Sequence, residues 1–202
     1  MIFKYNFTFD INLIQSFVKT RNLKILDYGC GTGAWSKNSL TKSSVKKITL
    51  YDKNKKLIKI LKKKYNHKKV EINFNLKSII KKKDYNLIFV SSVIQYINYY
   101  EFRKLIENIL NNKKKRKKKL FIIITDIPKL ARPIELLLMP IFNFKRFIFV
   151  LGMFFNKEYR KLKFYIYKKE DFNFLDKNFK IYFEQNLHDL KYLRYTAILK
   201  SK

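Results

Sequence analysis

The fold of this chain is decided by the segment Ile25-Leu26-Asp27-Tyr28-Gly29-Cys30-Gly31-Thr32-Gly33-Ala34-Trp35. A short apolar run ends in an acid, three glycines follow at alternate positions, and a predicted helix begins at about Gly33. Glycine adopts backbone angles closed to other residues, and without a side chain it lets a ligand lie against the main chain. The N–H groups at a helix start suit a carboxylate or a phosphate. The segment therefore predicts a strand, a cofactor-binding loop and a helix.

Two classes of cofactor use such a loop. The dinucleotide fingerprint G-x-G-x-x-G or -A is satisfied by Gly29, Gly31 and Ala34. Asp27 before the first glycine, and a third glycine at Gly33, favour the other class. The string Leu26-Asp27-Tyr28-Gly29-Cys30-Gly31-Thr32-Gly33 closely resembles motif I of the class I S-adenosylmethionine-dependent methyltransferases. The resemblance implies that Asp27 lies by the methionine end of the cofactor, and that Gly29, Cys30, Gly31 and Gly33 also belong to the cofactor site.

Length and composition limit the classes of protein to which the chain can belong. With 202 residues and 47% hydrophobic residues, the chain is long and apolar enough for one folded domain. The single cysteine, Cys30, excludes a disulfide framework and a cysteine-rich metal site, so we expect no metal. A lone cysteine suits a reducing compartment, and the N-terminus lacks the apolar region of a signal peptide. We therefore expect a cytoplasmic protein.

The net charge of +31 indicates affinity for polyanions in general. The excess is nearly all Lys, and it accompanies abundant Asn, Ile, Phe and Tyr, all residues with A/T-rich codons. A biased genome produces this composition without selection for binding. Arg, whose planar fork serves specific nucleic-acid contacts, is scarce. We therefore expect non-specific adhesion, including to anionic membrane, and no specific nucleic-acid binding.

Two further segments carry cofactor candidates at predicted strand ends. Asp52 ends the predicted strand 47–52 and lies 23 positions after Gly29, close to the spacing at which nucleotide-binding folds place an acid on the ribose hydroxyls. In the methyltransferase family the matching acid does this. After the predicted strand 70–74, Asn75 and Leu76 fall where the family has residues beside the adenine ring. A polar residue after a strand is common, so this second signal is weak.

The block 85–97 is nearly continuous in apolar residues and predicts a strand at the centre of a parallel sheet. It resembles the family's fourth-strand segment, and the resemblance assigns Ser91 to the cofactor site. Asn86 stands where Asp is usual, and Gln95 replaces a frequent His. The Asn/Asp-Pro-Pro-Tyr segment of enzymes that methylate amino groups of DNA bases or glutamine is absent. These departures leave cofactor binding intact and weaken inferences about the substrate.

The second half of the chain predicts a cover for the site. A fifth strand, 120–125, follows a basic run and ends beside Asp126, a weak candidate for catalysis. The apolar stretch 134–155 is as long as a membrane span, but Asn143, Lys145 and Arg146 lie at its centre and Pro140 interrupts it. Two short helices forming a lid fit better, either resting on a membrane or covering the core. An apolar lid indicates a hydrophobic or lipid-linked acceptor.

The C-terminal region predicts a helix from Lys169 and a hairpin of strands 179–185 and 192–199. The loop between them returns to the cofactor side of the sheet. His188 and Asp189 are thus weak candidates for a general base and its orienting partner, with Arg194 holding an anionic acceptor. A surface His–Asp pair without a catalytic role is the more common arrangement.

The resemblance implies a Rossmann-like α/β fold with a seven-stranded, mostly parallel sheet, helices on both faces and an antiparallel last strand. We expect one methyltransferase domain, 1–202, with a helical extension at 1–21 and a lid-like insertion at 128–160. The implied reaction is methyl transfer from S-adenosyl-L-methionine to a small molecule or an envelope glycan or lipid intermediate. The alternatives are an NAD(P)-dependent oxidoreductase, and a non-catalytic basic protein that binds RNA or anionic membrane. For the methyltransferase we expect a cytoplasmic location with peripheral contact at the inner face of the membrane.

Overall fold

A seven-stranded sheet forms the centre of the protein. The computed structural model describes residues 22–40, 44–81, 84–111, 119–130, 132–142, 144, 147–148, 151–152, 163–185 and 193–202. The strands, in chain order, are β1 Leu23–Tyr28, β2 Val45–Tyr51, β3 Val70–Asn73, β4 Leu87–Ser91, β5 Phe121–Pro128, β6 Phe179–Gln185 and β7 Arg194–Ser201.

The strands lie side by side in the order β3-β2-β1-β4-β5-β7-β6. Strands β1 to β5 pair in parallel, and β7 runs antiparallel to both of its neighbours. The predicted fold class is thereby confirmed. The strand order reverses between β1 and β4, and in open α/β sheets ligands bind outside the carboxyl ends of the strands at such a point.

In the described ranges, five α-helices with defined bounds connect or cover the strands, and two 3-10 helices supplement them. The α-helices are α1 Ala34–Ser39, α2 Lys55–Lys64, α3 Leu76–Lys81, α4 Tyr99–Asn111 and α5 Arg132–Phe142. Helix α2 shows why the sequence folds this way. The Asn54 side chain accepts a hydrogen bond from the Lys56 N–H and caps the helix, Ile58 and Leu61 are buried, and the lysines face water. The 3-10 helices are Ile94–Tyr96 and Lys169–Leu175.

Apolar side chains form a core on each face of the sheet. One core joins β4 and β5 to α4 and to Phe172 and Leu175 of the second 3-10 helix. The other core joins β1 and β2 to α2 and to Trp35 of α1, whose indole stacks on Phe89 with 3.9 Å between ring centroids. Packed apolar side chains thus cover both faces of the sheet.

The structure changes several predicted boundaries. Strand β5 continues to Pro128, so Asp126 lies within it, at a register shift between Ile124 and Ile127. The predicted helix at Lys169 is a 3-10 helix. Pro140 does not interrupt the lid segment as predicted; it lies inside α5, which ends two residues later. Within the part of the chain that is described, no helix has the length and apolarity needed to cross a bilayer.

Candidate functional site

The predicted cofactor residues and Asp126 lie at the carboxyl edge of the sheet. They lie in or just after five neighbouring strands. Asn75 follows β3, Asp52 follows β2, the glycine loop follows β1, Ser91 ends β4, and Asp126 lies near the end of β5. The sheet thus brings together residues that are up to 99 positions apart in the sequence, in one continuous row.

The glycine loop is fixed to its neighbours by main-chain hydrogen bonds. The N–H groups of Gly29 and Cys30 both donate to the Tyr51 carbonyl, at 2.7 and 3.0 Å. The Tyr65 hydroxyl donates to the Gly33 carbonyl, and Lys64 Nζ donates to the Thr32 carbonyl at 2.8 Å. Contacts from β2 and α2 therefore hold the loop in one conformation.

The three loop glycines have positive φ angles, but their surroundings differ. A Cβ atom on Gly29 would lie 2.4 Å from Val93 Cγ2, and one on Gly33 would lie 2.7 Å from the Tyr65 hydroxyl oxygen. A Cβ atom on Gly31 would meet nothing within 4 Å. Gly29 and Gly33 are thus required by packing, whereas the main chain at Gly31, with φ at +55°, borders open space that a ligand can fill.

Asp27 is buried behind the glycine loop. Its side chain is 3% exposed, and Oδ2 accepts a hydrogen bond of 2.5 Å from the Ser36 hydroxyl of α1. Burial raises the pKa of this carboxyl to about 7, against a lowering by the Ser36 hydrogen bond and with a smaller increase from the charge of Asp52. The group can therefore gain or lose a proton near neutral pH.

Asp52 stands at the end of β2 with its carboxylate directed to main-chain donors. Oδ2 accepts a hydrogen bond of 3.1 Å from the Gly31 N–H, and Oδ1 accepts one of 2.8 Å from the Asn54 N–H. The side chain is half-buried. The same carboxylate therefore links the glycine loop to α2.

At the end of β3, Asn75 is already used as a helix cap. Its Oδ1 accepts a hydrogen bond of 3.2 Å from the Ser78 N–H, and its own N–H donates to Asn73 Oδ1 at 2.8 Å. Leu76 is half-buried and contacts the core. Ser91, at the end of β4, accepts a hydrogen bond of 3.0 Å from the Thr125 hydroxyl of β5.

The Cys30 thiol is half-buried within the loop. Burial raises its pKa far above the usual range, and the neighbouring carboxyls of Asp27 and Asp52 raise it further. The thiol is therefore protonated at neutral pH and is a poor nucleophile. It contributes to the site as a small side chain.

Asp126 belongs to a buried ion-pair cluster. It is fully buried, has φ at +66°, and its Oδ2 accepts a hydrogen bond of 2.5 Å from the Ser92 hydroxyl. Arg194 Nη1 lies 3.0 Å from the same oxygen. Arg194 also binds Glu135 of α5 through both carboxylate oxygens, Nε to Oε1 at 2.5 Å and Nη2 to Oε2 at 2.8 Å. The cluster links β5, β7 and the lid helix at the edge of the site.

This cluster corrects the prediction for Arg194. The side chain is only 7% exposed and is fully occupied by two carboxylates of the protein, so it does not hold an anionic acceptor. Burial lowers the pKa of Arg194, but Asp126 and Glu135 raise it by more, so the charge is permanent. His188 and Asp189, the other two members of that prediction, lie outside the described residues.

Sequence reasoning missed Ser92 and Glu135 and gave no role to Gln95. Glu135 is the one acid in the apolar stretch 134–155, and this isolation was a signal for a buried ion pair. Ser92 has φ at +56°, which no sequence pattern indicates. Gln95 is 3% exposed; its Nε2 donates to the Ser92 carbonyl at 2.8 Å, while its buried Oε1 has no partner among the described residues.

The opposite edge of the sheet holds a separate, polar cavity. It measures about 130 Å³ and is lined by residues at the amino ends of the strands: Lys24, Lys47, Thr49, Glu71, Asp84 and Tyr85. Two ion pairs, Lys24–Asp84 at 2.6 Å and Lys47–Glu71 at 2.8 Å, occupy most of its polar groups. In the described ranges, no group of three or more His, Cys, Asp or Glu side chains is arranged as a metal site.

The sequence and the fold are similar to those of methyltransferases. The family model described as a methyltransferase domain matches residues 25–115, which include every predicted cofactor residue. No curated protein sequence matches the chain.

Solved structures share the fold over nearly the whole chain. An S-adenosylmethionine-dependent methyltransferase from Anabaena variabilis has a TM-score of 0.61 at 13% identity, with 96% of this chain and 84% of the other covered. The N-methyltransferase NodS from Bradyrhizobium japonicum, solved with S-adenosyl-L-homocysteine, has a TM-score of 0.56 at 12% identity, with 95% and 84% covered. A corresponding enzyme from Archaeoglobus fulgidus has a TM-score of 0.58 at 14% identity, with 95% and 90% covered. At these identities the likeness establishes the fold.

Proposed function

We propose that the chain is a class I S-adenosylmethionine-dependent methyltransferase and that its acceptor is a small molecule or a glycan or lipid intermediate of the cell envelope. S-adenosyl-L-methionine is the cofactor, and the chain is an enzyme that transfers its methyl group. One observation supports the proposed cofactor site: polar groups line the carboxyl ends of adjacent strands, and the main chain at Gly31 in the same row borders open space.

We propose that this row holds the cofactor along its length. Asp52 is assigned to the two ribose hydroxyls, because one carboxylate accepts two hydrogen bonds from a vicinal diol. Asp27, Gly29, Cys30, Gly31 and Gly33 are assigned to the methionine end. Asn75 and Leu76 are assigned to the adenine ring, and Ser91 is assigned to the cofactor site without a more specific contact. The order of these assignments follows the order of the strands.

The residues of the chain fit this cofactor. At Gly31 the main chain borders open space with an N–H group and a carboxylate beside it, as a polar ligand with a ribose requires. Displacing the contact between Asp52 and Gly31 frees both groups for the ligand. The buried Oε1 of Gln95 has no partner among the described residues, and we propose that it accepts a hydrogen bond from an amino or hydroxyl group when the site is filled, since an unpaired buried oxygen costs about 1–3 kcal/mol.

Positioning and exclusion of water are the main contributions of the protein to the reaction. The bound cofactor supplies a methyl group activated by the positive sulfur. The rigid loop and the strand ends hold the partners in line, which is worth up to roughly 7–11 kcal/mol in effective molarity. Asp126 is fully buried and engaged by Ser92 and Arg194, so we propose that it positions the site and does not act as the base. His188 remains the weak candidate for a base.

The lid supports the choice of acceptor class. Helix α5 follows β5 at the carboxyl edge and is tied to Asp126 through Arg194 and Glu135, so it borders the side of the site opposite to Asp52. Its described residues are mostly apolar. We propose that residues 128–160 form a lid over the acceptor and that residues 1–21 extend one single domain, in a cytoplasmic protein.

The first experiment is a calorimetric titration of S-adenosyl-L-methionine and S-adenosyl-L-homocysteine, with NADH as a control ligand. We expect micromolar binding of the first two and none of NADH. In Asp52→Ala, the loss of a charge-assisted pair should weaken binding by about tenfold or more. Asp84→Ala is the matched control, because this exposed aspartate lies at the opposite edge of the sheet. Equal affinities of the wild type and both variants would contradict the assignment of Asp52.

The acceptor proposal needs a separate test. Methyl transfer from labelled cofactor should be screened against a panel of sugar nucleotides, lipid-linked sugars and quinone-like lipids. Incorporation into the lipid or glycan members supports the proposal. Incorporation only into RNA or protein would overturn the acceptor class and leave the methyltransferase assignment unchanged.

A further inference from the structure

Five apolar side chains of the lid segment project into solvent. Exposed fractions are 77% for Leu137, 75% for Ile141 and 63% for Phe144, and about half for Ile134 and Ile148. Ile134, Leu137 and Ile141, spaced by three and four residues, lie along one side of α5, and Phe144 and Ile148 continue the same spacing in the sequence. We call these five side chains the lid face. A contiguous apolar surface of this kind marks an interaction site.

The orientation of the lid face is fixed by the opposite side of the helix. Glu135 is 2% exposed and bound by Arg194, and Met139 is 1% exposed and contacts Leu193 next to β7. Turning the lid face inward would break the ion pair between Glu135 and Arg194 and would leave the buried guanidinium of Arg194 with one carboxylate fewer. The exposed stripe is therefore a stable feature of the outer surface.

In the sequence, the segment that carries the lid face has a positive net charge. The segment 129–146 contains four cations, Lys129, Arg132, Lys145 and Arg146, and a single acid, Glu135, whose charge is neutralised by Arg194. The whole chain has a net charge of +31. Two copies of so cationic a face repel each other, whereas an anionic surface attracts it. An apolar stripe flanked by cations matches the boundary between the headgroups and acyl chains of an anionic bilayer.

We propose that the lid face docks on the surface of an anionic lipid bilayer, with Leu137 and Ile141 at its centre inserted among the acyl chains and the neighbouring cations on the headgroups. The docking stands independently of the identity of the methyl acceptor. Because α5 is tied to Asp126, docking places the carboxyl edge of the sheet next to the membrane.

The test is flotation with vesicles of phosphatidylcholine alone and of equimolar phosphatidylcholine and phosphatidylglycerol. We expect the wild type to float with the second and to remain partly bound at high salt, because salt screens the lysines and leaves the apolar contribution. Leu137→Ser combined with Ile141→Ser should weaken binding by about tenfold or more, since each apolar side chain contributes transfer free energy. Ile60→Ser is the matched control, because Ile60 is an exposed isoleucine of α2, 51% accessible, on a lysine-rich surface.

A second variant reports insertion directly. The fluorescence of the tryptophan introduced by Leu137→Trp should be quenched by lipids brominated on their acyl chains. The fluorescence of the tryptophan introduced by Ile60→Trp should not be quenched. S-adenosyl-L-homocysteine binding of each variant provides the folding control. Equal flotation of the wild type and the double serine variant would overturn the proposal and assign binding to the lysines alone. Absence of flotation would also overturn it, and a wild-type dimer that the serine variant converts to a monomer would assign the face to self-association.

Discussion

At the scale of single residues, two glycines of the loop have different roles. Gly29 is required for packing against Val93, whereas Gly31 borders the space that we assign to the cofactor. In Gly29→Ala the new Cβ would lie 2.4 Å from Val93 Cγ2, so we expect a loss of about 1–3 kcal/mol in the free energy of unfolding from overpacking, and additional strain at positive φ. The second change Val93→Ala should recover part of this loss. Urea denaturation of the three proteins measures it. No recovery in the double variant would show that the backbone angle alone causes the loss.

Gly31→Ala should behave differently. The added Cβ enters open space, so only the strain of a positive φ remains, about 1–2 kcal/mol. The same Cβ would occupy the space beside the main chain that we assign to the cofactor. We therefore expect a folded protein with cofactor affinity reduced by at least about tenfold, measured by calorimetry. Unchanged affinity would place the cofactor elsewhere in the crevice.

Asp27 predicts a pH dependence of stability. Its pKa is raised from 3.8 to about 7, so between these values the folded state holds a proton that the unfolded state has lost. The free energy of unfolding therefore falls as pH rises from about 4 to 7, by up to roughly 1.4 kcal/mol per pH unit, and levels off above. In Asp27→Asn this contribution is absent. Urea denaturation of the cofactor-free proteins at several pH values measures the difference, and parallel curves would contradict the prediction.

At the scale of elements, Arg194 joins β7 to β5 and α5. Arg194→Met leaves two buried carboxylates without a cation, and we expect a loss of about 3–5 kcal/mol in the free energy of unfolding. Arg194→Lys should recover only part of it, because an ammonium cannot bind Glu135 through two parallel hydrogen bonds. Hydrogen exchange should show reduced protection of α5 in both variants.

The control for this prediction is Arg103→Met. Arg103 pairs with Glu107 one turn along α4, and both side chains are about half exposed. Exposed pairs contribute little, so we expect stability and α5 protection close to those of the wild type. A comparable loss in both variants would indicate that removal of any arginine perturbs the fold.

Most strands and helices were predicted from the sequence. Strand β6, at Phe179–Gln185, has the predicted bounds, and β2, β3 and β7 lie within two residues of theirs. Strand β4 ends at Ser91, six residues before the end of the apolar block 85–97. Periodicity and turn residues are local signals, and here the tertiary structure agrees with them. The end of β5 was not predicted, because Asp126 continues the strand only with its carboxylate bound to Ser92 and Arg194.

The site residues were predicted from the sequence only where a local motif exists. The glycine loop and the acid after β2 carry recognisable spacing, and the structure brings Asp27, Gly31 and Asp52 together at the predicted edge. The role of Arg194 depends on contacts with residues 59 and 68 positions away, which no local pattern encodes. The cap formed by Asn75 is likewise visible only in three dimensions.

At the scale of the whole molecule, the net charge of +31 opposes the compact state. Sodium chloride screens this repulsion, so we expect the melting temperature to rise with salt concentration over the range in which the Debye length falls from about 30 to 8 Å. Sucrose at matched osmolality is the control for general solute effects. A melting temperature independent of salt would show that the lysines are spaced widely enough for their repulsion to be negligible.

The position of β7 in the sheet also affects how the chain folds during its synthesis. Residues Arg194–Ser201 are synthesised after all the other strands but lie between β5 and β6. Until they emerge from the ribosome, β6 has no partner within the sheet, and β5, buried along all eight residues in the finished protein, offers an open edge. We therefore expect the nascent chain to be prone to aggregation, and to benefit from holdase chaperones, until the last strand is complete.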